Sequence, residues 1–241
     1  MKNIYFIFLS ISLSGCAYPL VTPLLTAGAG AVAVAEDTDI SYDKEKGLNV
    51  NLALPSKEDF KKLFENSTKS EFTQLFFESS NYYLESQELL FKAYDMDLEA
   101  KKVRAAIDYA KNSKLPEKDR MMNSMKVSNE ASSIIRDSMD LESESISNQG
   151  KEQYNKALNP ALKGVISTVK LVPATSGLSS RLANPVSAAM VAKDLGTLVE
   201  VLPKVPAYIA TVASTMKLIV GGARAKGLEN TEDLELALVE L

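Results

Sequence analysis

Between Phe72 and Ala110 the chain repeats apolar or small residues every three or four positions, with no Gly or Pro in the interval. This spacing places them along one side of a helix. The repeat consists of Phe72, Phe76, Ser79, Tyr83, Ser86, Leu90, Ala93, Ala100, Val103, Ile107 and Ala110. At 1.5 Å per residue the segment predicts a single helix about 60 Å long. A helix of that length needs partners along its side, so the pattern predicts an elongated bundle.

A second helix is predicted to run back along the first. Pro116 marks the reversal, and the helix is predicted to extend from about Glu117 to Asn148. Its apolar residues are thinly spread and alternate with serines, which let two helices approach closely. A short helix capped by Ser56 precedes the pair. Region 56–158 is therefore predicted to form a long helical hairpin.

Two Asn-Pro pairs predict further helix starts, because an N-cap residue before Pro at the first helical position is a strong signal. They are Asn159-Pro160 and Asn184-Pro185. Residues 173–183, which contain Gly177 and four Ser or Thr, are predicted to form a loop between the two helices.

The end of the chain is predicted to contain an apolar helix that ends near Gly227 and a short acidic helix capped by Asn230 or Thr231. Region 159–241 is thus predicted to be a C-terminal cluster of apolar, basic helices with an acidic tail. Before the helices, residues 39–55 alternate polar and apolar side chains around a turn-like segment, which predicts a small β-hairpin. The predicted fold class is mainly α.

Charge is distributed unevenly along the chain. From Ala157 to Leu228 there are eight Lys or Arg against Asp194 and Glu200, a net charge of +6, so the remainder sums to −10 against the formal total of −4. A basic, apolar helical region is typical of a surface that contacts anionic lipid, and the candidate contacts are Lys204, Lys217, Arg224 and Lys226. The alternative is a buried helical core with solvated cations at its rim.

Composition and motifs argue against catalysis. The chain has no His, which removes the commonest general acid–base group and metal ligand. The pair Ser214 and Lys217 resembles the S-x-x-K motif of penicillin-binding proteins and serine β-lactamases, and Ser167 with Lys170 has the same spacing. The other motifs of that family, Ser-Asp-Asn and Lys-Thr-Gly, do not follow. We therefore expect no enzyme activity.

No metal or cofactor site is expected. Asp95, Asp97 and Glu99 imitate the start of an EF-hand loop, but Ala100 stands where Gly is required and Ala106 where Glu is required. An acidic stripe on the second helix is expected to be solvated, since no His accompanies it. It consists of Glu130, Asp137, Asp140 and Glu144.

The N-terminus has the layout of a secretory signal peptide. Lys2 precedes an uncharged apolar run too short to span a bilayer, and small residues follow. The segment ends in Leu13, Ser14, Gly15 and Cys16. This ending resembles the lipobox of bacterial lipoproteins. The resemblance implies that residues 1–15 are removed and that Cys16 carries diacylglycerol and an N-acyl chain.

The resemblance also implies an address in the bacterial cell envelope. Ala17 follows Cys16, where an Asp commonly retains lipoproteins in the inner membrane, so the outer membrane is favoured in a two-membrane bacterium. Residues 16–38 are predicted to be an apolar, lipid-anchored tether. Cys16 is the single Cys, so no disulfide within the chain is expected. Nucleic acid is not expected as a partner of an exported protein.

Two functions remain open. The favoured interpretation is a non-catalytic scaffold or accessory protein whose long helical hairpin binds an envelope protein or a second copy of the chain. The alternative is a protein that binds phospholipid or the membrane surface through the basic apolar helices at 159–228.

Overall fold

The computed structural model describes residues 40–43, 47–50, 56–142 and 145–228. Two short strands, β1 Ile40–Asp43 and β2 Gly47–Val50, pair antiparallel with Ile40 opposite Val50. The predicted signal peptide, the lipidated Cys16, the tether and the acidic tail lie outside the described residues.

Helices make up most of the described chain, which confirms the prediction of a mainly α protein. They are α1 Lys57–Asn66, α2 Lys69–Ala93, α3 Asp97–Lys111, α4 Glu117–Ser138, α5 Asn148–Ala183, α6 Ala188–Leu195 and α7 Val205–Ala225. Two 3₁₀ segments, Gly196–Glu200 and Leu202–Lys204, connect α6 to α7.

The single 60 Å helix predicted from Phe72 onward is wrong, because the chain reverses between α2 and α3. Asp95 has a φ of 57°, in the left-handed region that Asp enters more readily than most residues. The Met96 amide donates to the Phe91 carbonyl at 2.8 Å and closes the turn. Helix α3 then folds back along α2, where Arg104 Nη2 lies 2.7 Å from Glu88 Oε2.

The second predicted helix, Glu117 to Asn148, is also too long. Helix α4 ends at Ser138, and Ser147 caps a new helix by accepting a hydrogen bond from the Gly150 amide at 3.0 Å. The first helical hairpin is therefore formed by α2 and α3, whereas α4 begins a further crossing of the bundle.

Helix α5 overturns two predictions at once. It runs through Pro160, which was predicted to start a helix, and through residues 173–183, which were predicted to be a loop. The predicted boundary between 158 and 159 lies inside this helix. An internal Pro costs a helix about 3 kcal/mol in isolation. Here that cost is offset by burial, because the residues from 161 to 178 are buried except at Lys163, Lys170 and Ser176.

The second Asn-Pro pair lies just before a helix but does not begin it. Asn184 is the C-cap of α5, and its Oδ1 accepts a hydrogen bond from the Val186 amide at 2.9 Å. Helix α6 begins at Ala188. The polar side chain therefore organises a turn between helices, a role that Asn fills as readily as an N-cap.

The core forms where α2 and α5 pack antiparallel along most of their lengths. Gly150, near the start of α5, lies against the Ala93 carbonyl at the end of α2. Helix α7 packs on the same core: its Tyr208 ring lies 5.8 Å from the ring of Phe76 on α2. The fully buried aromatic rings therefore hold helices that are distant in sequence.

A buried polar group interrupts this apolar core, and we call it the Thr168 cluster. Thr168 Oγ1 on α5 lies 2.6 Å from Ser79 Oγ and 2.8 Å from Tyr83 Oη, both on α2. Thr168 also donates to the Gly164 carbonyl of its own helix at 2.8 Å. One hydroxyl thus uses its donor and both acceptor positions, and the cluster fixes the register of α2 against α5.

Candidate functional site

Helix α7 is the element on which the membrane hypothesis depends. Among the described helices, the segment Leu202–Ala225 is the one long and apolar enough to cross a bilayer by length and composition. However, 56% of its apolar window is buried inside the protein. The buried side carries the larger apolar residues, which contact α4 and α5. They include Val205, Tyr208, Ile209, Val212, Met216, Ile219 and Val220. One side of α7 therefore belongs to the core, as the interpretation of a buried helical core with solvated cations at its rim predicted.

The opposite side of α7 is exposed and unlike the other outer surfaces. We call it the α7 outer face, and it consists of Ala207, Ala210, Ser214, Lys217, Leu218, Arg224 and Ala225. No acidic residue occurs between Val201 and Leu228. Glu142, which follows α4, lies beside the face, with its Oε1 3.6 Å from the position of a Cβ at Gly221.

The outer side of α3 provides the contrast. Its exposed residues mix both charge signs, as a solvated helix surface does, and include Asp97, Lys101, Lys102, Arg104, Asp108 and Lys111. The α7 outer face instead combines two cations with small or apolar side chains. The contrast between the two surfaces is therefore one of charge, since α3 also exposes the apolar side chains Leu98 and Tyr109.

The structure divides the four predicted lipid contacts. Lys217 and Arg224 are exposed and seven residues apart, so two helical turns place them on the same side of α7. Lys204 is exposed at the other end of the helix, where its Nζ lies 3.6 Å from Met122 Sδ. Lys226 is half-buried and contacts the rest of the bundle.

Lys226 links the end of α7 to the rest of the bundle. Its Nζ donates to the Leu141 carbonyl at 2.5 Å and lies 5.8 Å from the centroid of the Tyr94 ring. Tyr154 Oη donates to the Ile219 carbonyl at 2.7 Å in the same region. Burial raises the pKa of the Tyr154 phenol, so the hydroxyl stays a donor at neutral pH. These contacts assign Lys226 a structural role.

The last acid before α7 is also paired. Lys118 Nζ donates to Glu200 Oε2 at 2.6 Å, and this hydrogen bond holds the pKa of the Glu200 carboxyl below its usual range. Glu200 is thus bound by α4, which reduces its capacity to neutralise the cations of α7.

Two adjacent glycines on α7 differ in how closely neighbouring side chains pack against them. A Cβ on Gly222 would lie 2.6 Å from both Leu141 Cβ and Tyr154 Oη, whereas at Gly221 the nearest atom is 3.6 Å away. We expect Gly222→Ala to lower the free energy of unfolding by about 1–3 kcal/mol, because neighbouring groups must move. Gly221→Ala should raise it by up to about 1 kcal/mol, the usual gain for Ala over Gly within a helix. Urea denaturation followed by circular dichroism measures both changes, and shifts of the same sign would contradict this packing.

The sequence motifs considered for catalysis or metal binding do not form such sites among the described residues. Ser167 is buried and Ser214 is exposed, so the two Ser–Lys pairs do not share one environment. In the same residues, no group of three or more His, Cys, Asp or Glu is placed to hold a metal ion. Asp137, from the acidic stripe, instead accepts hydrogen bonds from Arg136 and Ser133, which lower the pKa of its carboxyl.

Sequence reasoning missed a pair of exposed apolar side chains at the far end of the bundle. Val186, in the turn before α6, and Met190, within α6, are 93% and 71% exposed. Both lie in region 159–241, which was predicted to be a cluster of apolar, basic helices. Their position after the Asn184-Pro185 turn was the available signal, since turns lie at surfaces.

No family model, no curated protein and no solved structure matches the chain. The function must therefore be inferred from the surface itself, and the α7 outer face is the candidate functional site.

Proposed function

We propose that this protein is a lipid-anchored, non-catalytic protein of the bacterial envelope that contacts an anionic membrane surface through the α7 outer face. The observation that carries the proposal is the pair of exposed cations, Lys217 and Arg224, on a helix that has no acidic residue of its own. Cations over an apolar surface are what anionic headgroups and the upper acyl region attract.

The expected free energy of attraction between these cations and an anionic membrane is that of an auxiliary membrane contact. A Lys or Arg close to an anionic membrane contributes about 1 kcal/mol, so the two cations supply about 2 kcal/mol. Leu218, which is 41% exposed, adds a small apolar contact. Such a surface binds weakly alone and needs a second membrane signal.

A lipid on Cys16 would supply that second signal. The resemblance to the lipobox supports a covalent anchor, and about forty residues separate Cys16 from the first described helix at Lys57. Tethering raises the effective concentration of α7 near the membrane, so a weak contact suffices to orient the bundle. In this proposal the predicted β-hairpin at 39–55 joins the tether to the helices.

The scaffold interpretation required a long helical hairpin whose surface is open to a partner protein. Helix α2 offers little free surface, because α3, α4 and α5 all pack against it and residues from Phe72 to Ala93 are largely buried. The described surface that best suits a protein partner is instead Val186 with Met190, whose side chains are apolar and exposed. An envelope protein partner or self-association therefore remains the second candidate, through α6.

Vesicle binding tests the favoured function. With the chain from Ala17 onward, which lacks the lipid anchor, we expect weak sedimentation that is measurable at high lipid concentration with vesicles of phosphatidylcholine and phosphatidylglycerol, but not of phosphatidylcholine alone. The double variant Lys217→Gln, Arg224→Gln should weaken that binding about 30-fold, which corresponds to the loss of about 2 kcal/mol.

The matched control neutralises two exposed lysines on another helix. Lys101→Gln with Lys102→Gln changes the net charge equally but lies on α3, where acidic residues intervene. We expect less than a threefold effect. Equal losses in the two double variants would mean that net charge, and not the α7 outer face, governs binding. Equal binding to neutral vesicles would contradict the electrostatic proposal.

A further inference from the structure

Helix α1 is held to the bundle by few contacts. It is the one helix of the described chain in which no residue is buried. Phe60 and Leu63 are half-buried against the core, and Phe64 is 41% exposed. A helix of ten residues is marginal in water by itself, so the helical form of α1 depends on its packing against α5.

The closest of these contacts is made at a glycine of α5. The Phe64 carbonyl lies against Gly177 so closely that a Cβ on this glycine would overlap with it. Farther along, Ser67, the C-cap of α1, is buried, and its carbonyl accepts a hydrogen bond from the Arg181 guanidinium of α5. Arg181 therefore fixes the chain just after α1, whereas the helix itself rests on the fit at Gly177.

Helices α1 and α2 are capped independently of each other. Ser56 and Asp59 form a capping box at the start of α1, with the Asp59 amide donating to Ser56 Oγ at 3.1 Å. Thr68 caps α2 by accepting a hydrogen bond from the Glu71 amide at 3.2 Å. Ser67 and Thr68 both have non-helical backbone angles, which separates the hydrogen bonding of the two helices. Movement of α1 therefore leaves the start of α2 intact.

From these contacts we propose that α1 is a strap, which undocks from α5 as a unit and pivots before Ser67 while the other helices stay folded. Undocking frees ten residues. They span about 15 Å as a helix and up to about 35 Å as an extended chain. The strap thus lengthens the link between the membrane anchor and the bundle. That use rests on the lipid anchor of the proposed function, whereas the undocking does not.

Native-state hydrogen exchange of the detergent-solubilised full-length protein, read by peptide mass spectrometry, tests the undocking. We expect the amides of α1 to exchange about 100-fold or more faster than the buried parts of α2 and α5. The rate should be insensitive to low urea, because the opening exposes little surface. Exchange of α1 at the rate of α2 and α5 would overturn the proposal, since α1 would then open only with the whole bundle.

Two variants weaken the docking from opposite sides. Gly177→Ala places a methyl group where the Phe64 carbonyl lies, although Ala favours the helical form of α5. Leu63→Ala removes a docked side chain and leaves α5 unaltered. Each should raise the exchange of α1 about tenfold, with α2 unchanged. Gly221→Ala on α7, where no close contact arises, is the matched control and should leave α1 unchanged. Unchanged α1 exchange in both variants, or equal acceleration of α2 by Leu63→Ala, would overturn the proposal.

Spin labels measure the lengthening. With Cys16→Ser, labels at Glu58→Cys on α1 and Lys101→Cys on α3 occupy exposed positions. Pulsed electron resonance should give a narrow distance distribution, and adding Gly177→Ala should broaden it towards distances about 10 Å longer. An unchanged narrow distribution in the Gly177→Ala variant would overturn the strap. Because no membrane is present, failure here is separate from failure of the vesicle-binding test.

Discussion

Replacing Thr168 by valine is expected to lower the free energy of unfolding by about 2–4 kcal/mol, although the two side chains have nearly the same volume. The substitution removes the single oxygen that accepts hydrogen bonds from both Ser79 and Tyr83. Both hydroxyls are fully buried, so water does not replace the lost partner. Each buried hydroxyl left without a hydrogen-bond partner lowers the free energy of unfolding by about 1–3 kcal/mol.

Thr175→Val is the matched control on the same helix. Thr175 is equally buried, and its hydroxyl donates at 2.8 Å to the Leu171 carbonyl four residues earlier, with no second helix involved. Removing the Thr175 hydroxyl leaves no other side chain without a hydrogen-bond partner, since the Leu171 carbonyl belongs to the backbone hydrogen bonding of the helix. We expect a change within about 0.5 kcal/mol.

Urea denaturation of the two variants and of a triple variant completes the test. Adding Ser79→Ala and Tyr83→Phe to Thr168→Val removes the stranded hydroxyls and should recover most of the lost stability, because an apolar group left beside apolar groups carries no desolvation penalty. If Thr168→Val and Thr175→Val destabilise the protein equally, the loss reflects volume and helix propensity and not the Thr168 cluster.

Raising the pH above 10 is expected to unfold the protein steeply. Tyr83, Tyr154 and Tyr208 are buried, and burial raises the pKa of all three phenols well above the usual value near 10. In the unfolded chain each of them ionises near pH 10, whereas in the folded chain each remains neutral. Their stabilising effect is therefore fully present below pH 10 and is lost as the pH rises towards the folded pKa.

The expected slope follows from the number of protons. Three phenols that ionise only in the unfolded state lower the free energy of unfolding by about 4 kcal/mol for each pH unit above 10. A domain of ordinary stability reaches its midpoint within a few pH units at that slope. Few other side chains in the described core can contribute, because Glu88 is the one charged residue buried there.

Absorbance at 295 nm, which follows tyrosinate, should be measured in the same titration as circular dichroism at 222 nm. Burial and the nearby carboxylates of Glu78 and Glu85 raise the pKa of the Tyr82 phenol. Because Tyr82 is partly exposed, we expect it to ionise without waiting for the loss of helix. The three buried phenols should ionise together with the loss of helix. Ionisation of all tyrosines with the helical signal intact would contradict the buried positions of Tyr83, Tyr154 and Tyr208.

Local patterns identified the buried sides of the helices well. Phe72, Phe76, Tyr83, Val103 and Ile107 were all chosen from the three-and-four spacing, and all are buried. The spacing reports which side of a helix faces the core, and this property survives a change in where the helix ends. It therefore remained correct across α2 and α3 even though the single long helix did not.

Boundaries and pairing required the tertiary structure. Asp95 carries no strong stop signal, yet the chain reverses there, because folding α3 onto α2 buries Val103 and Ile107. Pro160 carries a strong start signal, yet α5 continues through it, because burial on nearly every side outweighs the cost of a missing hydrogen bond.

For the candidate site, the sequence by itself determined the chemistry: a stretch from Val201 to Leu228 with four cations and no acid. Only the tertiary structure decided how those cations are used, placing Lys217 and Arg224 outward and engaging Lys226 with Leu141 and Tyr94. The physical reason is that charge and helical period are properties of local sequence. Exposure depends instead on which distant helices cover each side, and that is decided by the packing of the whole bundle.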